Sequence, residues 1–104
     1  MSKPVKLDDA RVQEELKKRS DWFISAGRLH REFKFKNFVQ AFSWMAAVAL
    51  EAEKLDHHPE WFNSYNSVRV DLVTHSIAGL SENDFVLAEK MDQHYRQYQG
   101  MMIR

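Results

Sequence analysis

The chain has 104 residues, 44% hydrophobic and 29% charged, which suits one globular domain over residues 1–104 and leaves little room for a second. Its 15 basic and 15 acidic residues cancel, which argues against direct contact with nucleic acid or an anionic membrane. Without cysteine there are no disulfides, thiolate nucleophiles or thiolate metal ligands.

Met1-Ser2-Lys3-Pro4 lacks the apolar core of a secretory signal, and the longest near-apolar run, Ala41 to Leu50, is too short to span a bilayer, so a cytoplasmic location is the default. Asp8 is a natural N-cap for a first helix running to about Arg19, with Val12 and Leu16 on one face and Lys17-Lys18-Arg19 as a solvated end. Trp22-Phe23-Ile24 reads as a short strand closed by a turn at Gly27. Leu29, Phe33 and Phe35 then alternate with His30, Glu32 and Lys34, the pattern of a half-buried antiparallel strand.

Asn37 followed by Gln40 resembles a capping box and opens a second helix. Between Ala41 and Leu50 only Ser43 is polar. A helix apolar nearly all round is buried on more than one side, and in so small a domain the second side is expected to be a partner subunit. The helix should end at or before His58, because Pro59 disfavours helical geometry in the residue before it. Trp61 to Tyr65 reads as a strand and Asn66-Ser67 as a tight turn. Val68, Val70 and Leu72 alternate with Arg69 and Asp71 in a fourth strand continuing to about His75. Ser81 and Asp84 make a second capping-box pattern, opening a last helix along which Leu87, Met91, Tyr95 and Tyr98 keep near-helical spacing. The order α-β-β-α-β-β-α predicts an α+β domain, a four-stranded antiparallel sheet with three helices packed on one face.

Histidine is the side chain whose ordinary pKa lies nearest neutrality, so proton-transfer chemistry is sought among the five histidines. His30, mid-strand, and His94, in a charged helix tail, read as surface residues. His57 and His58 are adjacent at a helix end and flanked by Glu53, Asp56 and Trp61; Glu53 and His57, four apart, would point along one helix face. A polar C-cap competes with the site reading, because cationic histidine favours a helix C-terminus. His75, next to Thr74 and Ser76, is alone an ordinary strand-end residue; brought near the histidine pair it would complete a three-histidine pocket. No metal is expected there, since adjacent histidines point in different directions and the two-histidine helix turn of catalytic zinc sites is absent. Three glycines make no phosphate loop, and there is no nucleophile elbow.

The run Glu53-Lys54-Leu55-Asp56-His57-His58-Pro59-Glu60-Trp61-Phe62 resembles the signature of the pterin-4a-carbinolamine dehydratases. The likeness continues through Tyr65-Asn66, Thr74-His75, Gly79-Leu80-Ser81-Glu82 and Asp84, and with the element order it covers essentially the whole chain. It implies a hydro-lyase that removes water from 4a-hydroxytetrahydrobiopterin to give quinonoid dihydrobiopterin, recycling the cofactor of aromatic amino acid hydroxylases. The pterin is then the substrate, and neither a metal nor an organic cofactor is implied. Carried over, His57, His58 and His75 would be the acid–base groups and Glu53 would anchor or orient on the pterin side. Asp56, Trp61, Val73, Thr74 and Ser76 would line the pocket, with Trp61 at its mouth. One departure stands out: family members commonly carry arginine where this chain has Asn83, at the pocket rim.

The family also includes dimerisation cofactors of a homeodomain transcription factor, so a non-catalytic interaction module, acting in the nucleus as well, is the alternative. The apolar helix from Phe38 to Leu55 fits either a homodimer or homotetramer or such a protein partner. Phe23, Phe33, Phe35, Phe38, Phe42, Trp44 and Phe85 read as core or subunit interface.

Overall fold

The side chain of Asp8 accepts the amide of Arg11, and that of Asn37 accepts the amide of Gln40, both at 2.9 Å. These caps supply partners for two of the orphan donors at the starts of α1 (Asp9–Lys17) and α2 (Phe38–Leu55). The computed structural model describes residues 3–103, with side chains described for 3–99. Between and after these helices lie β1 (Phe23–Ser25), β2 (Arg28–Lys34), β3 (Glu60–Ser64), β4 (Ser67–Leu72), a 3₁₀ turn (His75–Ile77) and α3 (Glu82–Ile103). The order read from the sequence is the order found.

The sheet is antiparallel throughout, in the order β1-β2-β4-β3. Leu29 pairs with Leu72 and Phe33 with Val68, so the apolar half of each alternation lands on one face, where all four side chains are fully buried. Trp44 and Val48 of α2 and Phe85, Leu87 and Met91 of α3 complete that core. The Phe33 and Trp44 rings lie 4.4 Å apart. The polar handles of the large aromatics find backbone acceptors: Trp44 Nε1 donates to the Met91 carbonyl at 3.1 Å, and the Tyr95 hydroxyl to that of Lys34 at 2.7 Å.

The structure differs from the sequence reading at three places. The β3–β4 turn is Tyr65-Asn66, with Ser64 paired to Ser67, and Tyr65 takes φ 51°. Strand β4 ends at Leu72, because β2, its partner, pairs no further than Leu29; the chain beyond folds back so that Thr74 bridges Gly79. Of the aromatics assigned to core or interface, Phe33, Phe35, Trp44 and Phe85 lie in the core, and Phe23, Phe38 and Phe42 are exposed. Arg19 is not a solvated helix end. With Lys18 and Arg11 it converges on Glu15, whose carboxyl is buried at 5% exposure. Burial is the largest single influence on that carboxyl and pushes its pKa up, but the hydrogen bonds from Lys18, Arg19 and Arg11 together outweigh it and hold it below the ordinary value.

Helix α2 is apolar on two sides, as read. Trp44, Val48 and Ala52 are buried, while Phe38, Val39, Phe42 and Leu50 form an apolar stripe open to solvent, 47–70% exposed.

Candidate active site

Three chain reversals build the site. Helix α2 ends in a left-handed residue, Asp56 at φ 51°, with its amide bonded to the Glu53 carbonyl and the His57 amide to that of Ala52. This is a Schellman arrangement with aspartate where glycine is usual. It turns the chain sharply, so His57 and His58, consecutive in sequence, part company: His57 is buried at 8% exposure and His58 is exposed. The second reversal follows β4, where the Thr74–Gly79 bridge closes a loop containing the 3₁₀ turn, with Ala78 left-handed at φ 49°. The third is the start of α3, where the Asp84 carboxylate accepts the Ser81 amide.

These meet at a cavity of about 440 Å³ whose lining includes His57, His58 and His75. The expected lining residues Asp56, Val73, Thr74 and Ser76 are there too, as is Asn83. Two sequence assignments fall elsewhere. Glu53 does not line the cavity; its carboxylate meets His58 Nε2 at 2.8 Å, so it contacts His58 and not His57, because the reversal at Asp56 breaks the helical four-residue spacing. Trp61 is not at the mouth. It pairs with Val70 on the core side of the sheet, which turns its side chain inward, and it packs 6.1 Å from Trp44. His75, expected on a strand, opens the 3₁₀ turn instead and is largely exposed.

Each histidine has a carboxylate, of different quality. His57 Nε2 lies 2.6 Å from Asp84 Oδ1, and Asp84 is fully buried. Asp84 Oδ2 accepts the Thr74 hydroxyl at 2.7 Å and the Ser81 amide at 2.9 Å. Thr74 has one hydroxyl proton and gives it to Asp84, so the 2.7 Å contact between Thr74 and Ser81 runs with Ser81 donating. The chain of donors therefore ends on a carboxylate whose remaining oxygen takes the His57 Nε2 proton. In neutral His57 that fixes the tautomer, leaving the lone pair on Nδ1. His58 and His75 have weaker holds. Glu53, beside His58, is 78% exposed, and Glu60, 3.5 Å from His75, is itself bound by Arg28 at 2.6 Å.

Asp84 and Glu60 are the carboxylates beside His57 and His75, and neither contact is announced by the sequence. Asp84 was legible as the acidic partner of a capping box, and that role occupies only one of its oxygens. Glu60 stands in the signature run beside Pro59 without any pattern to connect it to His75. Among the described residues, no group of three or more histidines and carboxylates is arranged to hold a metal ion.

A buried histidine–aspartate pair at one wall of an open cavity, with two more imidazoles on the other walls, gives this small α+β domain a cluster of side chains of the kind that can carry protons. The chain belongs to the pterin 4 alpha carbinolamine dehydratase family, whose model matches residues 5–94. It is 48% identical over 88 residues to a protein of Solibacter usitatus (85% of this chain, 93% of that one). To a protein of Sinorhizobium medicae it is 50% identical over 93 residues (88% and 89%), and both carry the name "Putative pterin-4-alpha-carbinolamine dehydratase". A crystal structure described as a transcriptional coactivator/pterin dehydratase from Brucella melitensis superposes with a TM-score of 0.84 at 47% identity, covering 88% of this chain and 99% of that one. Among the described residues no helix is long and apolar enough to cross a membrane.

Proposed function

We propose that this protein eliminates water from 4a-hydroxytetrahydrobiopterin to give quinonoid dihydrobiopterin, the step that returns the hydroxylated pterin of aromatic amino acid hydroxylases toward its reduced form. The observation that carries the reading is the convergence of His57, His58 and His75 on one cavity large enough for a bicyclic ring, in a chain of this family. In the reaction the C4a–O bond breaks and the hydroxyl leaves as water after gaining a proton. The N5–H bond gives up its proton, and its electron pair forms the N5=C4a double bond. One imidazole delivers a proton and another accepts one, so the step is neutral overall and imidazole supplies both functions near neutral pH.

His57, which lines the cavity and is held by Asp84 through Nε2, is the positioned member; His58 and His75 are solvent-exposed. Glu53 orients His58 rather than meeting the pterin from the cavity wall. The scheme uses no metal and no organic cofactor. Stopped-flow absorbance on chemically generated 4a-hydroxytetrahydropterin tests it: wild type should outpace the spontaneous reaction, and His57→Ala, His58→Ala and His75→Ala should each slow it tenfold or more. A folded wild type no faster than buffer would sink the proposal.

The open stripe of Phe38, Val39, Phe42 and Leu50 favours a second role, association through α2, either as a homodimer or homotetramer or with a protein partner of the coactivator kind named for the Brucella structure. Phe42→Asp should lower the mass measured by light scattering if copies of this chain cover the stripe. An unchanged mass would remove self-association from the reading.

A further inference from the structure

The cavity has a wall that comes from neither the histidine helix end nor the 3₁₀ turn. The N-terminal segment Lys3–Leu7 crosses the start of α3, and Lys3 and Pro4 line the histidine cavity itself. The segment is pinned close by. The Leu7 amide donates to the Leu80 carbonyl at 2.8 Å, and the Leu7 side chain packs on the core. The Lys6 stem lies against Gly79 so closely that a Cβ there would come within 2.8 Å of its Cε. Lys3 and Pro4, with Asn83, also line a second, smaller cavity of about 220 Å³, so the segment divides the two. Lys3 and Pro4 precede residue 5, where the match to the family model begins.

Charge makes this arrangement consequential. Among the described residues that line the histidine cavity, Lys3 is the only lysine or arginine, and its one acidic neighbour there, Asp56, sits on the α2 end of the pocket. Asn83 at the rim brings no charge. An ammonium at the mouth of a concave site offers three donors on a flexible stem and an attractive field for electron-rich oxygen. A reduced pterin presents such oxygens at its ring carbonyl and on its hydroxylated side chain.

We infer that Lys3 is a substrate-binding residue, carried to the pocket by the N-terminal strap and donating to an acceptor oxygen of the pterin. The inference rests on the dehydratase reading, and it concerns binding alone: Lys3 holds substrate and transition state equally, so its loss raises KM and leaves kcat in place. Lys3→Ala should raise KM for 4a-hydroxytetrahydrobiopterin by ~3–10-fold with kcat changed less than ~2-fold, the size of a partly exposed charged hydrogen bond. Lys3→Arg should restore KM, and Lys36→Ala, an exposed lysine off the cavity, should leave KM as in wild type. The same comparison with the 6-methyl substrate, which has no side-chain hydroxyls, locates the acceptor. An effect kept points to the ring carbonyl and an effect lost to the side chain, and either supports the inference. Wild-type dehydration with KM unaltered in Lys3→Ala overturns it while leaving the enzyme reading standing. No dehydration by wild type removes the reading and the inference together.

Discussion

His57 and His58 are neighbours in sequence and opposites in circumstance. His57 is buried on a fully buried carboxylate that is itself held by Thr74 and Ser81, whereas His58 leans on Glu53, which is 78% exposed. His75 resembles His58, exposed and 3.5 Å from a carboxylate shared with Arg28. The difference teaches that one wall of the pocket is preorganised and the other is adjustable. Ordering a side chain costs conformational entropy, and in the His57 wall that cost is met during folding; at His58 and His75 it falls on the encounter with substrate.

Removing the preorganised member should therefore hurt most. His57→Ala is expected to lower kcat by about 10²–10³-fold and His58→Ala or His75→Ala by about 10-fold, read by stopped-flow absorbance. Equal losses for all three would erase the comparison. Asp84→Asn comes next, with kcat falling about 10–10²-fold, because an amide can donate to His57 Nε2 and so favour the opposite tautomer, as a triad histidine suffers when its aspartate becomes asparagine. Nitrogen-15 chemical shifts of the His57 ring would report the tautomer directly, and a ring unchanged in Asp84→Asn would break the argument for a positioning role. Glu53→Gln should cost only about 2–5-fold, since an exposed pair contributes little.

How much of this was legible differs by element. The sheet, the helix caps and the apolar double face of α2 follow from periodicity, from Asp8 and Asn37, and from Asp84 three residues after Ser81, because local rules decide them. The site was legible as residues and not as pairings. Glu53 was read beside His57 on the assumption that helical spacing persists, and the left-handed Asp56 ends it one residue too soon. Asp84 lies 27 positions from His57, and nothing local announces such a contact. Trp61 turned inward because it pairs with Val70, and residues paired directly across antiparallel strands share a face, here the core.

That left-handed aspartate offers a subtler probe. Glycine adopts positive φ without penalty, so Asp56→Gly should stabilise the fold by about 0.5–1 kcal/mol, measured by urea denaturation, while removing a carboxylate from the cavity lining. A rise in stability accompanied by a fall in kcat/KM would mark Asp56 as strain retained for the site. A rise in stability with full activity would mark it as a cap alone.

Glu15 sets the lower limit of the comparison, a buried carboxylate like Asp84 but away from the cavity, surrounded by Arg11, Lys18 and Arg19. Its pKa is lower folded than the ordinary carboxylate value, net of the opposing effect of burial, so the folded state binds its proton less readily than the unfolded state does. The sign follows: the stabilisation is fully present above the unfolded value and is lost as pH falls through the lower folded one. Glu15→Gln should therefore reduce stability by about 1–3 kcal/mol at neutral pH, the cost of unpairing a buried charged hydrogen-bond network, with the gap to wild type closing in acid. The kcat of the folded variant should match wild type, because no bond from Glu15 reaches the histidines. If Glu15→Gln lowers kcat as Asp84→Asn does, burial of a carboxylate in this small fold acts on activity through stability alone, and the special place given to the His57 wall is lost.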